Sequence, residues 1–105
     1  GQALCEQVVY DRETGQPVTG SLMDYAVPHA DIMPCMFVTE MDENTPCKNN
    51  VLGVKGVGEL GTIGATPAVV NAVADALARN GRGALAPQLQ MPLTAPRVWS
   101  LLNAA

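Results

Sequence analysis

One carboxylate stands alone in a run of glycines. In LGVKGVGELGTIG, residues 52–64, Glu59 is the only acidic residue, and Gly53, Gly56, Gly58, Gly61 and Gly64 surround it. Three kinds of chemistry fit such a run. GVGELG matches the dinucleotide fingerprint G-x-G-x-x-G, in which N–H groups at a helix start hold a pyrophosphate. Glycines also permit tight turns at low steric cost, and a solvated glutamate is the commonest kind. Third, glycines let a backbone pass close to a bulky ligand while a lone carboxylate, shielded from water, acts as general base. The nucleotide reading lacks its supports. KNNVLGVK makes a poor strand, and the helix signal comes only at Thr66. RGALAPQLQMP downstream is not a parallel strand, and no Gly-Lys-Ser/Thr occurs. Spacing does not choose between the other two.

The remaining reactive side chains are sparse. Cys5, Cys35 and Cys47 are odd in number and form no C-x-x-C. That disfavours a disulfide framework and a zinc ribbon, and no metal-ligating set is expected. Free thiols point to a reducing compartment, so a cytoplasmic location is expected. His29 is alone; a dyad with a cysteine is conceivable, but beside AVP and AD it reads as structural or solvent-facing. The formal net charge is -4 and the six Lys and Arg are scattered. Nucleic-acid binding needs clustered cations, so it is not expected. No apolar run approaches the length that crosses a bilayer, and the first ten residues lack the features of a signal peptide. The opening on Gly1 points to further material upstream.

These residues must be positioned by few elements. ALCEQ, residues 3–7, reads as the last turn of a helix. Residues 8–10 and 18–22 flank the polar DRETGQP turn and predict a hairpin. CMFVTEM, residues 35–41, is the best further strand. Thr66-Pro67 then announces a helix as N-cap and first helical residue. Val69, Val70, Val73, Ala74 and Leu77 give it one apolar face, and Asn80-Gly81 ends it. Residues 82–96 read as extended, with a short closing helix from Pro96. The fold class is α+β: short antiparallel strands, a glycine-rich loop and one main amphipathic helix, in a single unit over residues 1–105.

The chain resembles the C-terminal part of the molybdopterin-binding large subunit of the molybdenum hydroxylases. That family includes xanthine dehydrogenase, aldehyde oxidase and aerobic carbon monoxide dehydrogenase. The resemblance runs from GQAL through VVYDRETGQPVTGSLMDYAVPHAD and peaks at LGVKGVGELGTIGATPAVVNAVADAL. It implies a fragment of a larger molybdopterin-binding domain, inactive alone. It implies that Glu59 is the catalytic base for hydroxylation of an aldehyde, purine or N-heterocycle, or serves carbon monoxide oxidation. It implies that the backbone of Lys55, Gly56, Val57 and Gly58 lies against a molybdenum–molybdopterin cofactor. It also implies partners: the remainder of the large subunit, iron–sulfur and FAD subunits or domains, and a small-molecule substrate. Relatives commonly carry Asn-Pro where this chain has Asn50-Val51, which alters loop rigidity. The alternative is a stand-alone binding module that keeps the fold without the chemistry.

Overall fold

The computed structural model describes residues 1–33 and 36–104. Among the described residues four helical elements follow one another: a 3₁₀ turn Ala30–Ile32, helix α1 Leu60–Arg79, a 3₁₀ turn Gly83–Gln88 and helix α2 Ala95–Asn103. Half the chain precedes α1 and is almost wholly turns and extended segments.

Helix α1 is longer than the sequence suggests. It begins at Leu60 rather than at Thr66, so Thr66 is not its N-cap and Pro67 lies inside it. The Ile63 N–H donates to the Glu59 carbonyl at 2.9 Å, which closes the first α-turn. Once a turn has nucleated, each further residue adds a bond at little extra cost. One bond missing at Pro67, which has no N–H, does not stop it. Gly61 and Gly64 therefore belong to the helix and not to the loop. The apolar face lies where its spacing puts it. Val69, Val70, Val73 and Ala74 are half-buried and Leu77 is buried, while the first turn is exposed.

The end of α1 follows from Asn80-Gly81. Gly81 sits at φ 74°, a left-handed conformation open to glycine at low cost. Its N–H donates to the Ala78 carbonyl at 3.0 Å, and the Arg82 N–H donates to the Leu77 carbonyl at 2.8 Å. These two bonds are a Schellman cap. The chain reverses and Gly83–Gln88 packs back on α1, a 3₁₀ turn where an extended segment was expected. Helix α2 starts at Ala95 after Thr94, with Pro96 in its first turn. Arg82 Nη1 donates to the Leu102 carbonyl at 2.8 Å and ties the two helix ends together.

The expected strands do not form among the described residues. The two sides of the turn meet in one antiparallel bridge, Tyr10 with Pro17, made by the Val18 N–H to the Val9 carbonyl and the Asp11 N–H to the Gln16 carbonyl, both at 2.8 Å. The ladder goes no further because the Val9 N–H donates to the Thr19 hydroxyl at 2.9 Å rather than to a backbone carbonyl. The turn between them is well made. Asp11 Oδ1 accepts from the Thr14 N–H and hydroxyl, both at 2.7 Å, and Gly15 is left-handed at φ 72°. The Thr14 hydroxyl, more than any other group, holds the Asp11 carboxyl below its ordinary range. Residues 36–41 find no partner strand, and Met36, Phe37, Val38 and Met41 are exposed. β-Propensity records packing on a pleated surface, and without a second strand there is none. Cys35, which opens that predicted strand, lies outside the described residues.

The core is small. Among the described residues, Ala3, Leu77, Leu85 and Leu93 are its buried hydrophobic members. They come from the N-terminal turn, α1, the second 3₁₀ turn and the approach to α2. The Leu93 N–H donates to the Ala3 carbonyl at 2.6 Å, which joins the N-terminal turn to the approach to α2. The Tyr25 hydroxyl donates to Glu6 at 2.9 Å and fastens the 21–25 turn to that N-terminal turn. Everything else is spread out. The radius of gyration is 18.5 Å, against about 13 Å for a compact domain of this length. The accessible surface is 8895 Å², where a compact protein of this mass exposes about 5,600 Å². Helix α1 is also long and apolar enough, by length and composition, to cross a bilayer. The sequence expectation set no such run, because it placed Gly61 and Gly64 in a loop and began the helix only at Thr66-Pro67.

A chain with so little buried surface should not unfold as one unit. Far-ultraviolet circular dichroism of the isolated 105-residue chain should fall gradually with urea. A sharp transition with a slope of about 1 kcal/mol/M or more, typical of small two-state domains, would contradict this.

Candidate functional site around Glu59

Glu59 is the residue immediately before α1, with φ -98° and ψ -8°. Its backbone continues into the helix while its carboxylate makes no capping hydrogen bond to the first turn. The side chain is exposed and free to meet a ligand. The free N–H groups of the first helical turn lie beside it. Lys55, Gly56, Val57 and Gly58 lead into it and are exposed as well. A Cβ built on Gly56 or Gly58 meets nothing within 4 Å. The backbone of this run is thus open on the side where a side chain would stand.

The loop upstream is closed by Asn50, which sequence reading noted only in the Asn50-Val51 pair. The Asn50 amide donates through Nδ2 to the Val54 carbonyl at 2.9 Å, and its Oδ1 accepts from the Val54 N–H at 3.0 Å. The Gly53 N–H donates to the Asn50 carbonyl at 3.2 Å, and the Cys47 N–H donates to the Gly53 carbonyl at 2.9 Å. Gly53 is left-handed at φ 67°. A Cβ there would stand 3.0 Å from the Pro46 Cβ. The signal was present as Asn followed three residues later by Gly, which is turn chemistry.

Helix α1 starts inside GVGELG, which a dinucleotide loop requires. The strand that must feed such a loop is missing among the described residues, so the pyrophosphate geometry is not built. His29 precedes the first 3₁₀ turn, its carbonyl accepting from the Ile32 N–H at 3.2 Å. Cys5 and Cys47 are free and half-buried. Among the described residues, no three of His, Cys, Asp and Glu gather where they could hold a metal ion.

Comparison with known proteins gives the setting for this geometry. The gamma subunit of the 6-hydroxypseudooxynicotine dehydrogenase complex of Paenarthrobacter nicotinovorans is 48% identical over 80 residues, 74% of this chain and 10% of that protein. The nicotine 6-hydroxylase large subunit of the same organism is 42% identical over 81 residues, 77% of this chain and 10% of its own length. The aldehyde oxidoreductase molybdenum-binding subunit PaoC of Escherichia coli K12 is 40% identical over 77 residues, 72% of this chain and 10% of its own length. This chain is homologous to the large subunits of the molybdenum hydroxylase family. It spans about a tenth of the length of those curated relatives. A continuous match over 74% of a chain necessarily includes its middle, where the glycine run lies. No family model matches the chain, and no solved structure matches it.

Gly53→Ala should disturb the loop that precedes the glycine run. A non-glycine residue in the left-handed region costs about 1–2 kcal/mol, and the new methyl also crowds Pro46. Hydrogen exchange at the Cys47 and Val54 amides should rise accordingly. Unchanged exchange there would show that the loop is held by something other than its backbone turn.

Proposed function

We propose that this chain supplies the catalytic base, Glu59, and part of the molybdopterin wall of a molybdenum hydroxylase large subunit. The observation that carries the reading is the placement of Glu59. A carboxylate unused by its own helix stands at the end of a backbone run that no side chain covers. That run suits the edge of a large flat cofactor, which main-chain groups can approach closely only where Cβ atoms are missing. Lys55, Gly56, Val57 and Gly58 form this wall. The chain offers no cluster of metal ligands among its described residues, so its contribution is the wall and the base. When bound, the molybdenum–molybdopterin group supplies the two-electron chemistry of hydroxylation.

Glu59 takes a proton, at a carboxylate oxygen, from the oxygen nucleophile as it attacks an electrophilic carbon of the substrate. It is exposed in this chain, so the shielding a base requires comes from the cofactor, the substrate and the rest of the subunit. The substrate class is an aldehyde, purine or N-heterocycle; carbon monoxide oxidation is the variant use of the same framework. Names among the relatives, a nicotine hydroxylase and an aldehyde oxidoreductase, span that class. The remainder of the large subunit is the first partner. It covers the exposed apolar side of α1, including Leu60 and Ile63, and the unpaired 36–41 segment. Iron–sulfur and FAD subunits or domains carry the electrons away. A stand-alone binding module, the other reading, would need a core, and this chain's accessible surface argues against one.

In the complete, cofactor-loaded subunit, Glu59→Gln should keep the cofactor bound and lower turnover on the order of a hundredfold to ten-thousandfold, the usual loss for a positioned base. Near-normal turnover would remove Glu59 from the mechanism. The wall has its own test. Gly56→Ala and Gly58→Ala meet no neighbour within this chain, so they should leave the fold intact and lower molybdopterin content. Full cofactor content in both would show that the run does not touch it.

A further inference from the structure

We propose that Asn50 is a positioning residue for Glu59, a role that rests on the assignment of Glu59 as base. The argument begins with what holds the run from Lys55 to Glu59. Downstream it is fixed by α1, which starts at Leu60. Upstream of the turn that the Leu60 N–H closes on the Val57 carbonyl at 3.3 Å, the next fixed point is Val54, whose N–H and carbonyl are both engaged by the one Asn50 side chain. Between these points Gly56 and Gly58 have open space where a Cβ would be, so side-chain packing does not hold them. Packing does not hold the 50–54 loop either: Val51 and Leu52 at its tip are fully or largely exposed. The loop's shape rests on the Asn50 amide and on the backbone bonds at Gly53.

The carboxamide is the group this task requires. Val54 presents one donor and one acceptor side by side, and an amide answers with one acceptor and one donor in the same spacing. Aspartate answers the Val54 N–H but faces the carbonyl with a second acceptor. Alanine answers neither. Releasing Val54 moves the upstream fixed point of the run back to Gly53, whose carbonyl accepts from the Cys47 N–H. Side chains that do not touch the chemistry can still govern it, because displacing a reacting group by about 1 Å can cost on the order of a hundredfold.

The test uses the complete, cofactor-loaded subunit with four variants: Asn50→Ala, Asn50→Asp, Glu59→Gln and the Asn50→Ala/Glu59→Gln pair. The reductive half-reaction is followed by rapid mixing and, for slow variants, over hours. Asn50→Ala should lose about tenfold to a hundredfold in rate, with Asn50→Asp between it and the parent. Cofactor content should stay at the parent level, and hydrogen exchange over residues 54–59 should rise. The pair should be no slower than Glu59→Gln alone, because a residue acting through the base has nothing left to position. A near-normal rate for Asn50→Ala, a loss that multiplies with that of Glu59→Gln, or loss of cofactor would each overturn the positioning role. If Glu59→Gln itself keeps turnover, the assignment of the base fails instead, and the hydrogen-exchange result alone then reports on the clamp.

Discussion

Leu77 is the buried residue of α1. The reversal after α1, with Leu85 buried in it, packs back on that helix. The Leu77 carbonyl also receives the Arg82 N–H that caps α1. A cap and a core contact thus share one residue, and the C-terminal half of α1 becomes the most firmly placed part of the molecule. Four buried hydrophobic residues among those described cannot organise the rest of the chain. Burial of a leucine-sized side chain contributes about 1.5–3 kcal/mol, while fixing each residue's backbone costs about 1–2 kcal/mol. The segments away from Leu77 are therefore held by local turns or by surfaces that other chain segments provide.

That constraint explains which elements were legible. The apolar face of α1 and its stop at Asn80-Gly81 are properties of one contiguous segment, and both are present. The start was misread because Thr66-Pro67 is a valid local signal that an earlier turn overrides. The strands were misread for a different reason. Residues 8–10, 18–22 and 36–41 have the right composition, but a strand is a pairing and not a composition. The Thr19 hydroxyl takes the N–H that would extend one ladder, and among the described residues 36–41 has no second strand beside it. Residues 82–96 looked extended because proline and glycine dominate them, yet the Schellman turn throws them back against α1, where a 3₁₀ turn forms.

The site divides in the same way. Glu59 and its glycines were legible because the whole candidate is one run of five residues, so no folding was needed to bring it together. The Asn50 clamp was not, because it depends on which backbone groups lie opposite an amide. A motif tells which atoms are available. It does not tell what keeps them still.

Helix α1 gives that distinction a mechanical form. Its anchored end is at Leu77 and Glu59 stands at the other, eighteen residues away, about 27 Å along the axis at 1.5 Å per residue. Such a rod is a cantilever. A tilt of about 2° at the buried end displaces the tip by about 1 Å, the scale on which catalytic placement matters. Pro67 removes one bond from the middle of the rod, which makes that point its most compliant. The aim of Glu59 is thus set at both ends of a lever, by a turn of a few residues beside it and by packing almost the full length of a helix away. Substitutions around Leu77, far outside any substrate's reach, act on the same coordinate as substitutions in the loop.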